Sequence, residues 1–153
     1  MTWWWVVVAA IGTALPAAPD LCSEELVRLD HARATAFAAA DPQALDRVYV
    51  VPSRLADADA TTIAAYRARG GRVRGVLLQV SQCRVLERTD TTIRLDVVEE
   101  LGRAYVRWSD GSTSALPRDR ATRRWVTLRR TAEGWRISGS QPPAPTADRG
   151  SRN

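Results

Sequence analysis

Lysine is absent from this chain of 153 residues, and all 22 basic residues are arginines. Histidine occurs once and cysteine twice. Arginine stays protonated at ordinary pH and therefore cannot shuttle protons. One histidine and two cysteines fall short of the four protein ligands that structural zinc sites usually have. The sequence also contains no glycine-rich phosphate loop and no serine at a nucleophile elbow. We therefore expect no metal site and no cofactor.

The arginines give the chain a formal net charge of +5, which would suit an anionic partner. They are spread from Arg28 to Arg152, however, with acidic residues between them. The densest group consists of Arg118, Arg120, Arg123, Arg124, Arg129 and Arg130. No nucleic-acid reader motif accompanies this group. We interpret it as the solvated faces of a loop and two strands, and we expect no nucleic acid among the partners.

The first 19 residues contain no charged side chain, and the first charge is Asp20. Such a run approaches the roughly 20 apolar residues that cross a bilayer, and it also resembles the core of a signal peptide. Acidic residues follow it, so nothing basic holds that side of the run in the cytoplasm. We expect residues 1–19 to be an export signal or an uncleaved membrane anchor. The domain would then be extracytoplasmic, either secreted or held at the membrane.

The two cysteines bear on the same question. Cys22 follows the apolar run, and Cys83 lies in a predicted strand. In an oxidising compartment an even pair of cysteines readily forms a disulfide. A bridge here would close a loop of about 60 residues and stabilise the fold by roughly 4 kcal/mol. Two buried free thiols are the alternative.

The first half of the chain has the spacing of helices. Ser23 is a candidate cap for a first helix, whose apolar positions are Leu26, Leu29, Ala36, Phe37 and Ala40. Asp41-Pro42 ends this helix and begins a short second one, with Asp41 as the cap. The second helix carries Leu45, Val48 and Tyr49. A third helix is predicted over about Ala56 to Ala68, presenting Ile63 and Tyr66, and it ends at Gly70-Gly71.

The second half has the period of strands. The stretch VRGVLLQVSQCRVLER is interpreted as one long bent strand, with a change of parity that predicts a β-bulge near Ser81-Gln82. A loop is predicted through STSALPRDRAT. Residues 142–153 lack apolar side chains and are predicted to be a disordered tail. The other predicted strands contain Ile93, Leu95 and Val97; Tyr105 to Trp108; Val126 and Leu128; and Trp135 and Ile137.

Helices followed by a meander of strands predict an α+β domain over residues 20–141. Three stretches between about Glu24 and Ser138 carry a resemblance: LDHARATAFAAADPQALDRVYV, YRARGGRVRGVLLQVSQCRV and WVTLRRTAEGWRI. In the order of these parts the chain resembles the nuclear transport factor 2-like superfamily, which includes SnoaL-like cyclases and ketosteroid isomerases. More narrowly, it resembles the small exported or membrane-anchored domains of that type in high-GC bacteria. The resemblance implies a cone-shaped half-barrel with N-terminal helices packed on a curved, mostly antiparallel sheet, and Trp135 packing inward.

The resemblance also implies a pocket between helices and sheet, where related enzymes place an acid or a histidine as a proton shuttle. The candidates here are Asp30, His31, Tyr49, Tyr66, Asp96 and Glu99. His31 lies between the apolar and polar faces of its helix, which favours a solvated or capping role. Asp96 alternates outward from its apolar neighbours, so we expect a surface ion pair. The two tyrosines are expected to be core aromatics with solvated hydroxyl groups.

No pair of these candidates has the spacing of an acid–base dyad, so we expect no catalytic residue and a domain that is not an enzyme. The prediction is a non-catalytic extracytoplasmic binding or accessory domain, associated with the cell envelope. Its partner would be a protein or a small apolar ligand, with the membrane as a further contact through residues 1–19 if they are uncleaved. A homodimer is compatible with the sequence. The alternative is a SnoaL-like isomerase, cyclase or dehydratase that uses Asp30, His31, Tyr49 and Tyr66.

Overall fold

The computed structural model describes Cys22 and residues 24–144. The predicted export signal or anchor over residues 1–19 lies outside these residues, as do Ser23 and residues 145–153 of the predicted tail. In chain order the elements are α1 (Glu25–Ala39), a 3₁₀ helix (Pro42–Arg47), α2 (Arg54–Ala68), β1 (Gly71–Arg74), β2 (Leu78–Arg88), β3 (Thr92–Leu101), β4 (Tyr105–Trp108), β5 (Thr113–Ala115), β6 (Thr122–Thr131) and β7 (Gly134–Gln141). The α+β prediction is confirmed.

The helix boundaries follow from local capping. The Asp41 carboxylate accepts a hydrogen bond of 3.0 Å from the Gln43 N–H, and Pro42 occupies the first turn, as predicted. The short second helix has 3₁₀ geometry. The third helix starts two residues before the predicted position, because the Ser53 hydroxyl accepts a hydrogen bond of 3.2 Å from the Leu55 N–H and caps it. Among the described residues, no helix is long and apolar enough to cross a membrane.

The seven strands form two antiparallel sheets, one of order β2-β3-β6-β7 and one of order β1-β4-β5. In the part of the chain that the structure describes, the sheets do not close into a barrel. The prediction of one long strand through Gly75 is therefore wrong, because β1 and β2 pair in different sheets. Gly75 adopts a φ of 73°, and a Cβ there would lie 2.5 Å from the Arg103 carbonyl oxygen, so glycine allows the chain to turn at this point.

Two other strand predictions have different outcomes. The predicted bulge is confirmed, since the register between β2 and β3 shifts between Val80 and Gln82. The prediction of an uninterrupted loop through STSALPRDRAT is wrong, because Thr113–Ala115 pairs with β4 as β5. All three residues of β5 are exposed, so the strand has no alternation of apolar and polar side chains that could reveal it.

The hydrophobic core has two parts, one under each sheet. The part under the four-stranded sheet contains Leu26, Leu29, Ile93, Leu95, Val97, Val126 and Leu128. The part under the three-stranded sheet contains, among others, Ala36, Phe37, Leu45, Val48, Ile63, Val73 and Val106. Ile137 packs against both parts. Trp135 is half-buried and packs against the first part, as predicted, while the Arg130 guanidinium lies 5.7 Å from its ring centroid.

Candidate functional site

A cleft of about 310 Å³ lies where α1, α2 and the four-stranded sheet meet. Its apolar wall is formed by side chains such as Leu26, Leu55, Val76, Leu101, Val126 and Ile137. Its polar residues include Asp30, Arg33, Tyr49, Asp59, Glu99, Asp119 and Arg124. A volume of this size is at the lower end of the range for small-molecule sites, which combine an apolar lining with a few placed polar groups.

The first helix supplies the most unusual polar group of the cleft. Asp30 follows Leu26 by four residues and precedes Arg33 by three, so these side chains project from one face of α1. Only 9% of Asp30 is exposed. Its Oδ2 atom accepts a hydrogen bond of 2.8 Å from the Leu78 N–H. Its Oδ1 atom is buried, and no described residue donates a hydrogen bond to it.

This environment changes the acidity of Asp30. Burial raises the pKa of the carboxyl group above its ordinary value, because it penalises the charged form. The hydrogen bond from Leu78 and the charges of Arg33 and His31 oppose this effect without cancelling it. A carboxyl group with one buried oxygen that has no donor can accept a hydrogen bond from a bound molecule, or exchange a proton with it.

Arg33, Asp59 and Tyr49 form a hydrogen-bonded network that also lines the cleft. The Arg33 guanidinium donates two hydrogen bonds to the Asp59 carboxylate, at 2.6 and 3.0 Å. The Tyr49 hydroxyl donates a third, at 2.7 Å. Burial raises the pKa of Tyr49, so its hydroxyl group stays protonated and continues to donate its hydrogen bond to Asp59. The Tyr49 hydroxyl and two of the five N–H groups of Arg33 therefore already have a partner inside the fold.

Glu99 brings a second carboxyl group to the cleft from β3. Burial raises its pKa, and the charge of Asp30 acts in the same direction. Arg124 on the neighbouring strand opposes the shift, with its Nε atom 3.7 Å from a carboxylate oxygen of Glu99. The cleft thus combines two carboxyl groups that resist ionisation with an apolar wall.

The structure separates the residues that the sequence grouped as candidates. Asp30, Tyr49 and Glu99 line the cleft. His31 does not line it and is exposed on α1, in agreement with the predicted solvated role. Tyr66 is half-buried outside the cleft, with its ring centroid 6.5 Å from that of Trp108.

Asp96 lies outside the cleft, where the expected ion pair is confirmed. Arg84 and Arg123 donate to its carboxylate at 3.0 and 2.6 Å. The side chain is nevertheless only 8% exposed, because the two arginines cover it. The hydrogen bond from Arg123 is the largest cause that lowers the pKa of Asp96, to about 2.

Sequence reasoning missed Arg33 and Asp59 altogether. The only available signal for Arg33 was its position three residues after Asp30 on the helix face that carries Leu26. Asp59 gave no signal, because its partner lies 26 residues away in the sequence. Each residue taken alone resembles an ordinary surface charge of a helix.

The predicted disulfide is confirmed. Cys22 and Cys83 are bridged, with their Cα atoms 5.8 Å apart and a sequence separation of 61. The bridge ties the chain just before α1 to the middle of β2, and the alternative of two free thiols is wrong. The closed loop contains β1 and all the helices that the described part of the chain forms.

No family model and no curated protein matches this chain. Solved structures are similar to it. Aln2 from a Streptomyces species is 17% identical with a TM-score of 0.52, over 80% of this chain and 89% of that one. The intermembrane space region of the chloroplast protein ARC6 is 14% identical with a TM-score of 0.50, over 82% and 97%.

An NTF2-like protein with a cystatin-like fold from Novosphingobium aromaticivorans is also similar. It is 21% identical with a TM-score of 0.41, over 77% of this chain and 78% of that one. The present chain has the nuclear transport factor 2-like fold, as its sequence predicted. At these identities the similarity defines the fold and leaves the function to be argued from the site.

Proposed function

We propose that this protein is a non-catalytic binding domain that acts outside the cytoplasm. Its ligand is a small molecule with an apolar body and one hydrogen-bond donor, held in the cleft between the helices and the four-stranded sheet. The observation that carries the proposal is that Asp30 lines the cleft and that its buried Oδ1 atom receives no hydrogen bond from the described residues. An unsatisfied buried acceptor costs free energy, and a ligand donor would remove that cost.

The other polar groups support binding over catalysis. An enzyme that moves a proton needs a base and also a donor that stabilises the charge developing on the substrate. Asp30 could act as the base. Tyr49 and Arg33, however, already donate to Asp59. We infer that the cleft recognises a ligand and does not convert it.

The disulfide supports the extracytoplasmic part of the proposal. Structural disulfides persist in oxidising compartments and are rare in the cytosol. The similar ARC6 region is itself from an intermembrane space. A reporter that requires export, fused to residues 1–22, tests this part. An active fusion is the expected result, and a well-expressed but inactive fusion would contradict it.

A ligand screen tests the cleft. A panel of single-ring compounds, each with one hydroxyl or amide donor, is titrated against ¹⁵N-labelled protein, and the perturbed residues are mapped. Shifts at Leu78 and Val126 would place the ligand in the cleft. Asp30→Asn presents an amide N–H in place of one acceptor oxygen and should weaken binding by about tenfold or more.

The control for this screen is Asp46→Asn, the same chemical change at an exposed aspartate that does not line the cleft. It should leave the dissociation constant unchanged. Compounds that bind only outside the cleft, or that bind Asp30→Asn as tightly as the unaltered protein, would contradict the proposal.

A second candidate function follows from the same carboxyl group. A raised pKa and an apolar cleft are also what a proton-transfer enzyme of the SnoaL type requires, with Asp30 as acid and base. Hydrogen–deuterium exchange at an acidic C–H of a bound compound would distinguish the two. Exchange that depends on Asp30 would favour the enzyme, and binding without exchange favours the binding domain.

A further inference from the structure

A second concave site lies at the edge of the three-stranded sheet and shares no lining residue with the cleft. Its volume is about 450 Å³. Its wall is made by the side chains of Arg67, Arg72, Arg74, Arg107, Trp108 and Ser109 and by the chain at Gly70 and Gly71. We refer to this site as the arginine pocket. Its charged residues come from three elements, α2, β1 and β4.

The charges of the arginine pocket are not neutralised within the described part of the protein. All four of its arginines are exposed, and none forms a salt bridge with a described residue, whereas seven arginines elsewhere do. Strands β1, β4 and β5 contain no acidic residue. The acid in the β4–β5 turn, Asp110, accepts two hydrogen bonds from Ser112.

Two of these arginines face each other directly. Arg72 on β1 and Arg107 on β4 are partners in the antiparallel ladder. Cβ atoms at such positions lie about 4.5–5.5 Å apart, and like charges there destabilise a sheet. An anion bound between the two guanidinium groups would convert this repulsion into attraction.

Glycine and aromatic residues fix the shape of the pocket. A Cβ on Gly71 would lie 2.8 Å from the Trp108 ring, so the absence of a side chain lets β1 approach that ring closely. The Arg69 guanidinium lies 4.9 Å from the Tyr66 ring centroid and 5.9 Å from that of Trp108. These contacts hold a fifth positive charge beside the pocket.

We propose that the arginine pocket binds a phosphate group, carried by a soluble phosphate compound or by the headgroup of an anionic lipid. The guanidinium group donates hydrogen bonds from a planar fork that matches phosphate oxygens. Several arginines around one concave site suit the several oxygens of a phosphate better than a single carboxylate. Because arginine does not titrate at ordinary pH, binding should depend on salt and on the charge of the ligand.

The test compares two double variants of the full-length protein at low salt. Zwitterionic detergent is present in the calorimetry and is removed before vesicles are added. Arg72→Gln/Arg107→Gln removes the facing pair. Arg88→Gln/Arg129→Gln removes the same net charge at exposed arginines that do not line the pocket. Calorimetry measures the binding of pyrophosphate. Co-sedimentation measures binding to phosphatidylcholine vesicles with and without phosphatidic acid, so that any contribution of the apolar N-terminal residues appears in every sample.

A soluble phosphate ligand is supported if the affinity for pyrophosphate falls about tenfold or more in the first variant and less than about twofold in the second. The same pattern confined to vesicles with phosphatidic acid supports a lipid headgroup. Absence of both kinds of binding, or equal losses in the two variants, would overturn the proposal. Denaturant unfolding checks that the first variant folds, and the relief of repulsion should leave it at least as stable as the unaltered protein. If the first double variant does not fold, the single change Arg74→Gln, which should also weaken binding, replaces it in the test.

Discussion

Removal of the Cys22–Cys83 bridge is the perturbation whose magnitude the structure defines best. The bridge joins positions 61 apart in the sequence and encloses every helix of the described residues. In the chain-entropy model, closing a loop of that length lowers the entropy of the unfolded chain enough to stabilise the fold by about 4 kcal/mol. Cys83→Ala removes this constraint and should lower the free energy of unfolding by about 2–5 kcal/mol.

Urea unfolding of the oxidised protein, followed by tryptophan fluorescence, measures this loss. For a small domain, 4 kcal/mol corresponds to a fall of about 2 M in the midpoint concentration. Unaltered protein in the presence of reductant is the control and should unfold at the same urea concentration as Cys83→Ala. A loss below about 1 kcal/mol would refute the reasoning. Alkylation of both thiols without reductant would show that the bridge does not form in the cell.

Three further predictions concern the ion pairs and the packing. Arg33→Ala removes the main partner of the largely buried Asp59 carboxylate and should lower the free energy of unfolding in urea by about 3 kcal/mol. Tyr49→Phe removes one hydrogen bond to the same carboxylate and should lower it by about 1 kcal/mol. Equal losses would contradict the network. Asp96 has a pKa of about 2, so it stabilises the fold fully above its unfolded value of about 3.9 and loses this effect as the pH falls toward 2. Acid unfolding of Asp96→Asn should lack that pH dependence, and an unchanged curve would speak against the ion pairs. Gly71→Ala places a Cβ 2.8 Å from core side chains and should lower the free energy of unfolding, measured by thermal unfolding, by about 1–3 kcal/mol. The control is Gly139→Ala, whose Cβ would meet nothing within 4 Å and which should change the stability little. A small effect of Gly71→Ala would contradict the packing.

The sequence predicted the helices and the paired strands well, because their periodicity comes from burial on one face. Ile93, Leu95 and Val97 alternate and are fully buried. The division into two sheets was not predictable from the sequence, because Gly75 and the residues around it fit an ordinary strand pattern. Nor did the sequence predict β5, whose three residues are all exposed and pair with β4 without an alternation of apolar and polar side chains.

The candidate site was only partly predictable. Asp30 was identified as a candidate from its helix, but its burial depends on Leu78, which is 48 residues away in the sequence. The arginine pocket also does not coincide with the densest run of arginines in the sequence. Arg123 and Arg124 are paired with acids on the neighbouring strand, whereas the arginine pocket is assembled from separate elements. Contacts of this kind are set by tertiary packing, which a local pattern does not contain.

The ionisation of Asp30 tests the central claim most directly. The proposed binding site depends on this buried carboxyl group, one oxygen of which receives no hydrogen bond from the described residues. ¹³C NMR of the labelled carboxyl group gives its pKa in the folded protein. We predict a value above the ordinary value for aspartate, about 3.9, because burial raises it. A value at or below the ordinary one would show that the carboxyl group is solvated or paired, and would contradict the account of the cleft.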